Sequence, residues 1–164
     1  MGSMDCHHRQ INKSPNILFL FFRSLMLFAL IGSVSAAGVC IKVERANLRS
    51  GPGAGYKKSW EVFRHMPFHE IGRKGKWVEV EDVDGDKHWV FENLITSDYL
   101  CAVIKVDKAN LRTGPGTEYK PHSLYPSAEK YESFKYLQKK DKWVELEDVF
   151  GNHVWIFRTL IWVQ

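Results

Sequence analysis

Beyond residue 36, no stretch of this 164-residue chain carries a convincing 3.6-residue apolar stripe, which argues against a helical bundle. Long hydrophobic runs are also missing. The apolar block between Ile17 and Val34 is broken by Arg23, and its uninterrupted part, Ser24 to Val34, is too short to cross about 30 Å of hydrocarbon. Charge of one sign is not in excess: 23 Lys+Arg stand against 19 Asp+Glu. Residues 1–36 hold Arg9, Lys13, Arg23 and Asp5, so 20 basic and 18 acidic residues remain after them, a net of +2. A nucleic-acid partner wants a concentrated basic face and is not expected. Arg73-Lys74-Gly75-Lys76 and Lys139-Lys140-Asp141-Lys142 are matched basic stretches that read as solvated hairpin turns.

Cysteine is scarce, with Cys6, Cys40 and Cys101 alone. Arg9 and Lys13 ahead of the apolar block, and the small residues of Val34-Ser35-Ala36, read as a secretory signal peptide over residues 1–36, cut after Ala36; the alternative is a retained anchor. Membrane contact is then expected only through that segment, before cleavage. Cys40 is not expected to carry a lipid, because Val39 is too large for the position before it. An exported Cys40 and Cys101 pair suggests a disulfide from the mature N-terminus to the connection between repeats, with two buried free thiols as the alternative.

What the chain does have is a phrase stated twice. Lys42-Val43-Glu44-Arg45-Ala46-Asn47-Leu48-Arg49-Ser50-Gly51-Pro52-Gly53 returns as Lys105-Val106-Asp107-Lys108-Ala109-Asn110-Leu111-Arg112-Thr113-Gly114-Pro115-Gly116. Tyr56 and Tyr119 follow at the same distance, and a repeated phrase means a repeated structural unit. Lys76-Trp77-Val78-Glu79-Val80-Glu81-Asp82-Val83 returns as Lys142-Trp143-Val144-Glu145-Leu146-Glu147-Asp148-Val149, and Trp89-Val90-Phe91 as Trp155-Ile156-Phe157. The offset grows from 63 at Ala46/Ala109 to 66 at Trp77/Trp143, so the second copy gains three residues between Tyr119 and Trp143, as a loop tolerates.

Each copy reads as β structure. Val78 and Val80 alternate with Glu79 and Glu81, which puts the valines on one face and the carboxylates on the other. Asp84-Gly85 and Gly151-Asn152 are hairpin turns between β-rich runs, and the Gly-Pro-Gly triplets bar any helix. The expected fold class is all-β, with short strands in a small closed or sandwiched sheet per copy. The connection Thr96-Ser97-Asp98-Tyr99-Leu100 has no Gly or Pro, which predicts limited motion between the copies.

The Ala-Asn-Leu-Arg-Ser/Thr-Gly-Pro-Gly opening, the Lys-Trp-Val-Glu-Val/Leu centre and the Trp-Val/Ile-Phe…Leu-Ile ending resemble a tandem pair of bacterial SH3-like domains. The resemblance implies two five-stranded barrels, at residues 39–97 and 101–163. It also implies one helical turn near the end of each, at Phe91–Leu94 and Phe157–Leu160. Such domains usually accompany, rather than contain, the peptidase activity of cell-wall enzymes. Proline-rich recognition is not implied, since Asn-Leu-Arg-Ser/Thr replaces the tyrosine-rich opening of the eukaryotic groove.

The residues offer no catalytic constellation and no metal cluster. His65 and His69 stand four apart, but Pro67 between them and a strand reading put the rings out of register. No catalytic residue, metal or cofactor is expected, and the protein is expected not to be an enzyme. Binding remains. The aromatics kept in both copies include Tyr56, Trp77 and Phe91, with Tyr119, Trp143 and Phe157. Asn47, Arg49, Asn110 and Arg112 border the Gly-Pro-Gly turns and complete the candidate ligand set. Leu48, Val80 and Trp89, with Leu111, Leu146 and Trp155, are expected to be mostly buried. The expected function is an exported module of the periplasm or cell envelope of a bacterium, recognising the peptide part of peptidoglycan. The alternative is an adaptor docking an envelope enzyme or secretion component.

Overall fold

The computed structural model describes residues 37–164; the expected signal peptide lies outside them. The first repeat forms β1 (Gly38–Ile41), β2 (Arg45–Arg49), β3 (Lys58–Phe63), β4 (Pro67–Lys74), β5 (Trp77–Glu81), β6 (Lys87–Phe91) and β7 (Ile95–Thr96). They make one antiparallel sheet in the order β3-β2-β6-β5-β4-β1-β7. The second repeat forms β8 (Cys101–Ile104), β9 (Lys108–Asn110), β10 (Ser127–Glu129), β11 (Ser133–Lys140), β12 (Trp143–Glu147), β13 (His153–Phe157) and β14 (Ile161–Val163). Its main sheet runs β13-β12-β11-β8-β14, and β10 pairs with β9 alone. A bridge between Arg112 and Trp155 joins the β9 segment to β13. Single 3-10 turns at Glu92–Leu94 and Arg158–Leu160 stand where the repeat ending places them. The described residues are thus all-β, as expected.

The period-two pattern decides the faces. Val78, Val80 and Val90 are fully buried, as are Val144, Leu146, Val154 and Ile156 in the second repeat. Leu48 and Leu111 are buried as expected. Trp89 and Trp155 are mostly buried too, but less completely than the leucines. In β6 and β13 it is the residues on either side of the tryptophan (His88 and Val90, Val154 and Ile156) that point inward, so the indole faces outward.

The two copies share local detail. β4 and β11 each carry a bulge, between Glu70 and Gly72 and between Tyr136 and Gln138. His65 (φ 71°) and Tyr131 (φ 72°) hold the same left-handed position 66 residues apart, a conformation that costs a non-glycine residue roughly 1 kcal/mol. Gly85 and Gly151 supply positive φ at the hairpin tips. The basic stretches lie on the β4–β5 and β11–β12 turns.

The repeats are joined by more than their connection. Cys40 and Cys101 form a disulfide with Cα atoms 6.0 Å apart, and closure of a loop of this length stabilises by about 3–4 kcal/mol. Val103 and Trp162 pack into the core of the first repeat. Asp84, at a hairpin tip of the first repeat, accepts from Tyr131 Oη at 2.5 Å and Lys130 Nζ at 3.0 Å. The tyrosine and lysine bonds hold the Asp84 carboxyl below its ordinary range. Ser133 Oγ donates to the Arg64 carbonyl at 2.9 Å.

Candidate functional site

The outward faces of β5–β6 and β12–β13 carry the retained aromatics. Trp143 stands opposite Phe157 in register, and their rings meet edge-on at 5.6 Å. Trp77 and Phe91 repeat the arrangement at 5.5 Å. This follows from strand parity: Trp77, Glu79, Trp89 and Phe91 lie on one surface, opposite the valines.

Arginine borders the second pair. Arg112 Nη1 donates to the carbonyls of Tyr119 at 2.7 Å and Thr117 at 3.1 Å, and its guanidinium lies 6.0 Å from the Trp143 ring centre. Arg49 Nη1 donates to the Tyr56 carbonyl at 2.7 Å. Each arginine therefore ties down the Gly-Pro-Gly turn that follows it. Tyr56 and Tyr119 close those turns from above: a Cβ on Gly51 would come within 2.3 Å of the Tyr56 ring, and one on Gly114 within 2.1 Å of Tyr119. The first glycine of each turn is required by this close approach.

In the second repeat these parts enclose a groove of about 650 Å³, lined by Asn110, Arg112, Trp143 and Phe157 together with Lys108, Glu118, Asp141 and Lys142. Four residues expected to bind thus come together. Tyr119 does not line this groove; its exposed ring packs against Gly114. In the first repeat Asn47 is exposed, Arg49, Trp77 and Phe91 are half-buried, and Tyr56 is exposed. The groove offers an aromatic platform, a fixed guanidinium and mixed charge, a surface able to hold a peptide with both polar and apolar groups. Among the described residues no group of three or more His, Cys, Asp or Glu is placed to hold a metal.

One cluster escaped the sequence reading. Ser59 Oγ lies 2.9 Å from His88 Nδ1, and His88 Nε2 lies 3.4 Å from Asp82 Oδ2. A register shift between Leu48 and Arg49 leaves Ser59 as the extra residue on β3 and turns it toward the ring. His88 and Asp82 are buried, and the two contacts satisfy both ring nitrogens. Asp82 Oδ1 also accepts the N–H groups of Asp84 and Asp86, clamping the hairpin. Asp148 clamps the second hairpin through Phe150 and Asn152, while Val154 stands where the first repeat has His88. Burial pushes the Asp148 carboxyl up, but the hydrogen bonds from Asn152, Phe150 and Gly151 outweigh it and hold it below its ordinary value. The Asp82–His88 hairpin spacing was visible in sequence; the bulge that aims Ser59 was not.

His65 is buried, meets Tyr99 edge-on at 5.7 Å, and has no hydrogen-bond partner at Nδ1. Burial, and then the neighbouring Arg64 charge, pull its pKa below the ordinary histidine value. His69 packs against Trp162 at 5.1 Å. Neither is part of the groove.

Residues 42–96 match the model of the bacterial SH3 domain. Among curated proteins, the chain is 27% identical over 142 residues to YrvJ of Bacillus subtilis, which bears the name of an N-acetylmuramoyl-L-alanine amidase; the match covers 79% of this chain and 27% of that protein. It is 40% identical over 75 residues to LytH of Staphylococcus aureus, which bears the name of a cell wall amidase, covering 45% of this chain and 26% of that protein. The chain spans about a quarter of the length of these relatives. An NlpC/P60 family protein from Bacillus cereus aligns in structure at 12% identity and a TM-score of 0.37, over 78% of this chain and 56% of that one. That score is too low to carry an argument.

These matches correct one expectation. The protein was expected not to be an enzyme, yet the curated relatives are named as amidases. The expectation rested on the absence of a catalytic motif within the repeats, which span about a quarter of the length of those relatives.

Proposed function

We propose that the chain recognises the bacterial cell wall, binding the peptide part of peptidoglycan in the groove beside Trp143 and Phe157 and on the equivalent face at Trp77 and Phe91. On this reading residues 39–97 and 101–163 are two bacterial SH3 domains, residues 1–36 are an export signal, and the protein works in the periplasm or cell envelope. The observation that carries it is the meeting of Asn110, Arg112, Trp143 and Phe157 around one groove, in a chain whose curated relatives are cell-wall amidases by name. A peptide with carboxylates and amides finds there a guanidinium, an aromatic face and backbone groups of the Gly-Pro-Gly turn. In the context of an amidase, such binding would hold the enzyme at its insoluble substrate and raise the local concentration of reacting groups.

The test is sedimentation with purified sacculi. Residues 37–164 are expected to pellet with the wall, and the Trp77→Ala, Trp143→Ala double variant to remain largely in solution, with at least a tenfold loss of bound protein. Wild-type protein that stays in the supernatant at low salt overturns the proposal.

A further inference from the structure

We infer that the groove of the second repeat selects a peptide carrying a side-chain ammonium on an alkyl stem, as a diamino acid does, and that Glu118 and Asp141 set this preference. The inference rests on the wall-binding reading for its surface and adds which peptide group that surface distinguishes.

The charges of the groove separate the two repeats. Lys108, Arg112 and Lys142 line it together with Glu118 and Asp141. Laid along the repeat, the three cations return in kind as Arg45, Arg49 and Lys76, whereas the two carboxylates fall on Gly55 and Gly75. The second groove thus carries two anions more than the first face, on a surface that shares its cations and its aromatic pair. Glu92, beside Phe91 in the first repeat, is held 4.0 Å from Arg73 Nη1. The first face suits an anionic ligand; the second suits a ligand that brings an anion and a cation together.

Two separate loops supply the carboxylates. Asp141 stands on the turn between β11 and β12 at φ 53°, where Gly75 holds φ 59° in the first repeat. Aspartate is one of the few residues besides glycine that visit this left-handed conformation, and here it stands two residues before Trp143. Glu118 follows the Gly-Pro-Gly turn and folds its carboxylate over Gly116, so that a Cβ on that glycine would meet both carboxylate oxygens. At the matching place in the first repeat, Gly53 faces the Tyr56 ring. Other carboxylates of the two repeats are engaged: Asp82 and Asp148 clamp hairpins, Asp84 takes Tyr131 and Lys130, and Glu70 takes Arg73. Glu118 and Asp141 have neither an ion-pair nor a side-chain hydrogen-bond partner among the described residues.

The aromatic platform decides which ammonium fits. Trp143 and Phe157 offer apolar surface beside the two anions. An alkyl stem lies along such a surface while its charged head reaches the carboxylates. A chain-terminal ammonium has no stem to place there. Arg112, fixed by the carbonyls of Thr117 and Tyr119, stays directed at a carboxylate of the same peptide. Both anions are exposed, so each ion pair strengthens binding by up to about fivefold.

The probe is the tripeptide L-alanyl-γ-D-glutamyl-L-lysine, titrated into the protein with backbone amide NMR as readout. Lys142 and Trp143 report the second groove, and Lys76 and Trp77 the first face. Saturable shifts are expected at both. Acetylation of the lysine side-chain amine should weaken binding about fivefold at Trp143 and not weaken it at Trp77. Acetylation of the α-amine should weaken neither. Glu118→Gln with Asp141→Asn should weaken binding of the unmodified peptide by the same factor and leave the side-chain-acetylated peptide as it was, a coupling that general damage to the groove would not give. Equal affinity of the unmodified and side-chain-acetylated peptides at Trp143 overturns the inference, as does an equal loss at both faces or a loss on α-acetylation alone. So does the absence of a saturable shift at Trp143 with millimolar peptide; sacculi that still pellet the protein would then leave the wall-binding reading standing.

Discussion

The two repeats answer one packing problem differently. Each lays a leucine of the shared phrase, Leu48 or Leu111, beneath the strand that follows the Gly-Pro-Gly turn. The first repeat covers it with Trp60 on a six-residue strand and places a hydrogen-bonded His88 beside it. The second has a shorter strand, Pro126 in place of the tryptophan and Val154 in place of the histidine. Where the first repeat carries a hydrogen-bonded histidine, the second is apolar, and Leu111, Phe134 and Val154 are still buried. The hairpins β11–β12–β13 keep their register, and Leu111 stays buried in one cluster with Val144, Leu146 and Ile156.

The strongest way to break this comparison is to uncouple the halves. Replacing Cys101 by Ser, or reducing the disulfide, should lower stability by about 3–4 kcal/mol in denaturant titration. If the packing of Val103 and Trp162 into the first repeat makes the halves one cooperative body, a single transition should move as a whole. Two separated transitions would show that the bridge alone couples them.

Trp60→Ala would make the first repeat resemble the second. Removal of the half-buried indole should cost about 3 kcal/mol, measured as the shift in the unfolding midpoint. A cost below about 1 kcal/mol would mean that the tryptophan does not seal the first core.

Acid should separate the repeats next. His65 titrates below its unfolded value, so the unfolded chain binds the extra proton first as pH falls. Stability contributed by neutral His65 is complete above the ordinary histidine value near 6.5 and is lost as pH drops through the folded one. Its counterpart in the second repeat is Tyr131, not a histidine. His65→Gly, which also suits the left-handed backbone, should flatten this part of the stability–pH curve. An unchanged slope between pH 6.5 and 5 would assign the sensitivity elsewhere.

The smallest contrast is between the arginines. Arg112 makes two bonds to carbonyls where Arg49 makes one. Arg112→Ala should therefore cost about 1.5 kcal/mol against about 1 kcal/mol for Arg49→Ala, read from midpoints in the same denaturant. Equal losses would mean that the bond to Thr117 contributes nothing.

Much of this was legible in the chain. Alternation in Val78-Glu79-Val80-Glu81 gives the inward and outward faces, and it put Trp77 and Trp143 outside. The same rule, applied to His88-Trp89-Val90, puts the Trp89 ring on the outward face, where it is still only partly exposed. Ser59 could not be read because a bulge changes which way a residue points without a sign in the local sequence. The cysteines were seen, but their separation depends on how β1 and β8 approach.

The sequence by itself determined the β class, the repeat, the hairpin turns and the alternating faces, since these follow from backbone preferences and period-two burial within a few residues. Only the tertiary structure decided that Cys40 meets Cys101, that Arg112 lies over Trp143, and that Trp60 of the first repeat meets Tyr131 of the second. Those depend on contacts between segments far apart in the chain, where one residue of register or one missing side chain changes the surface.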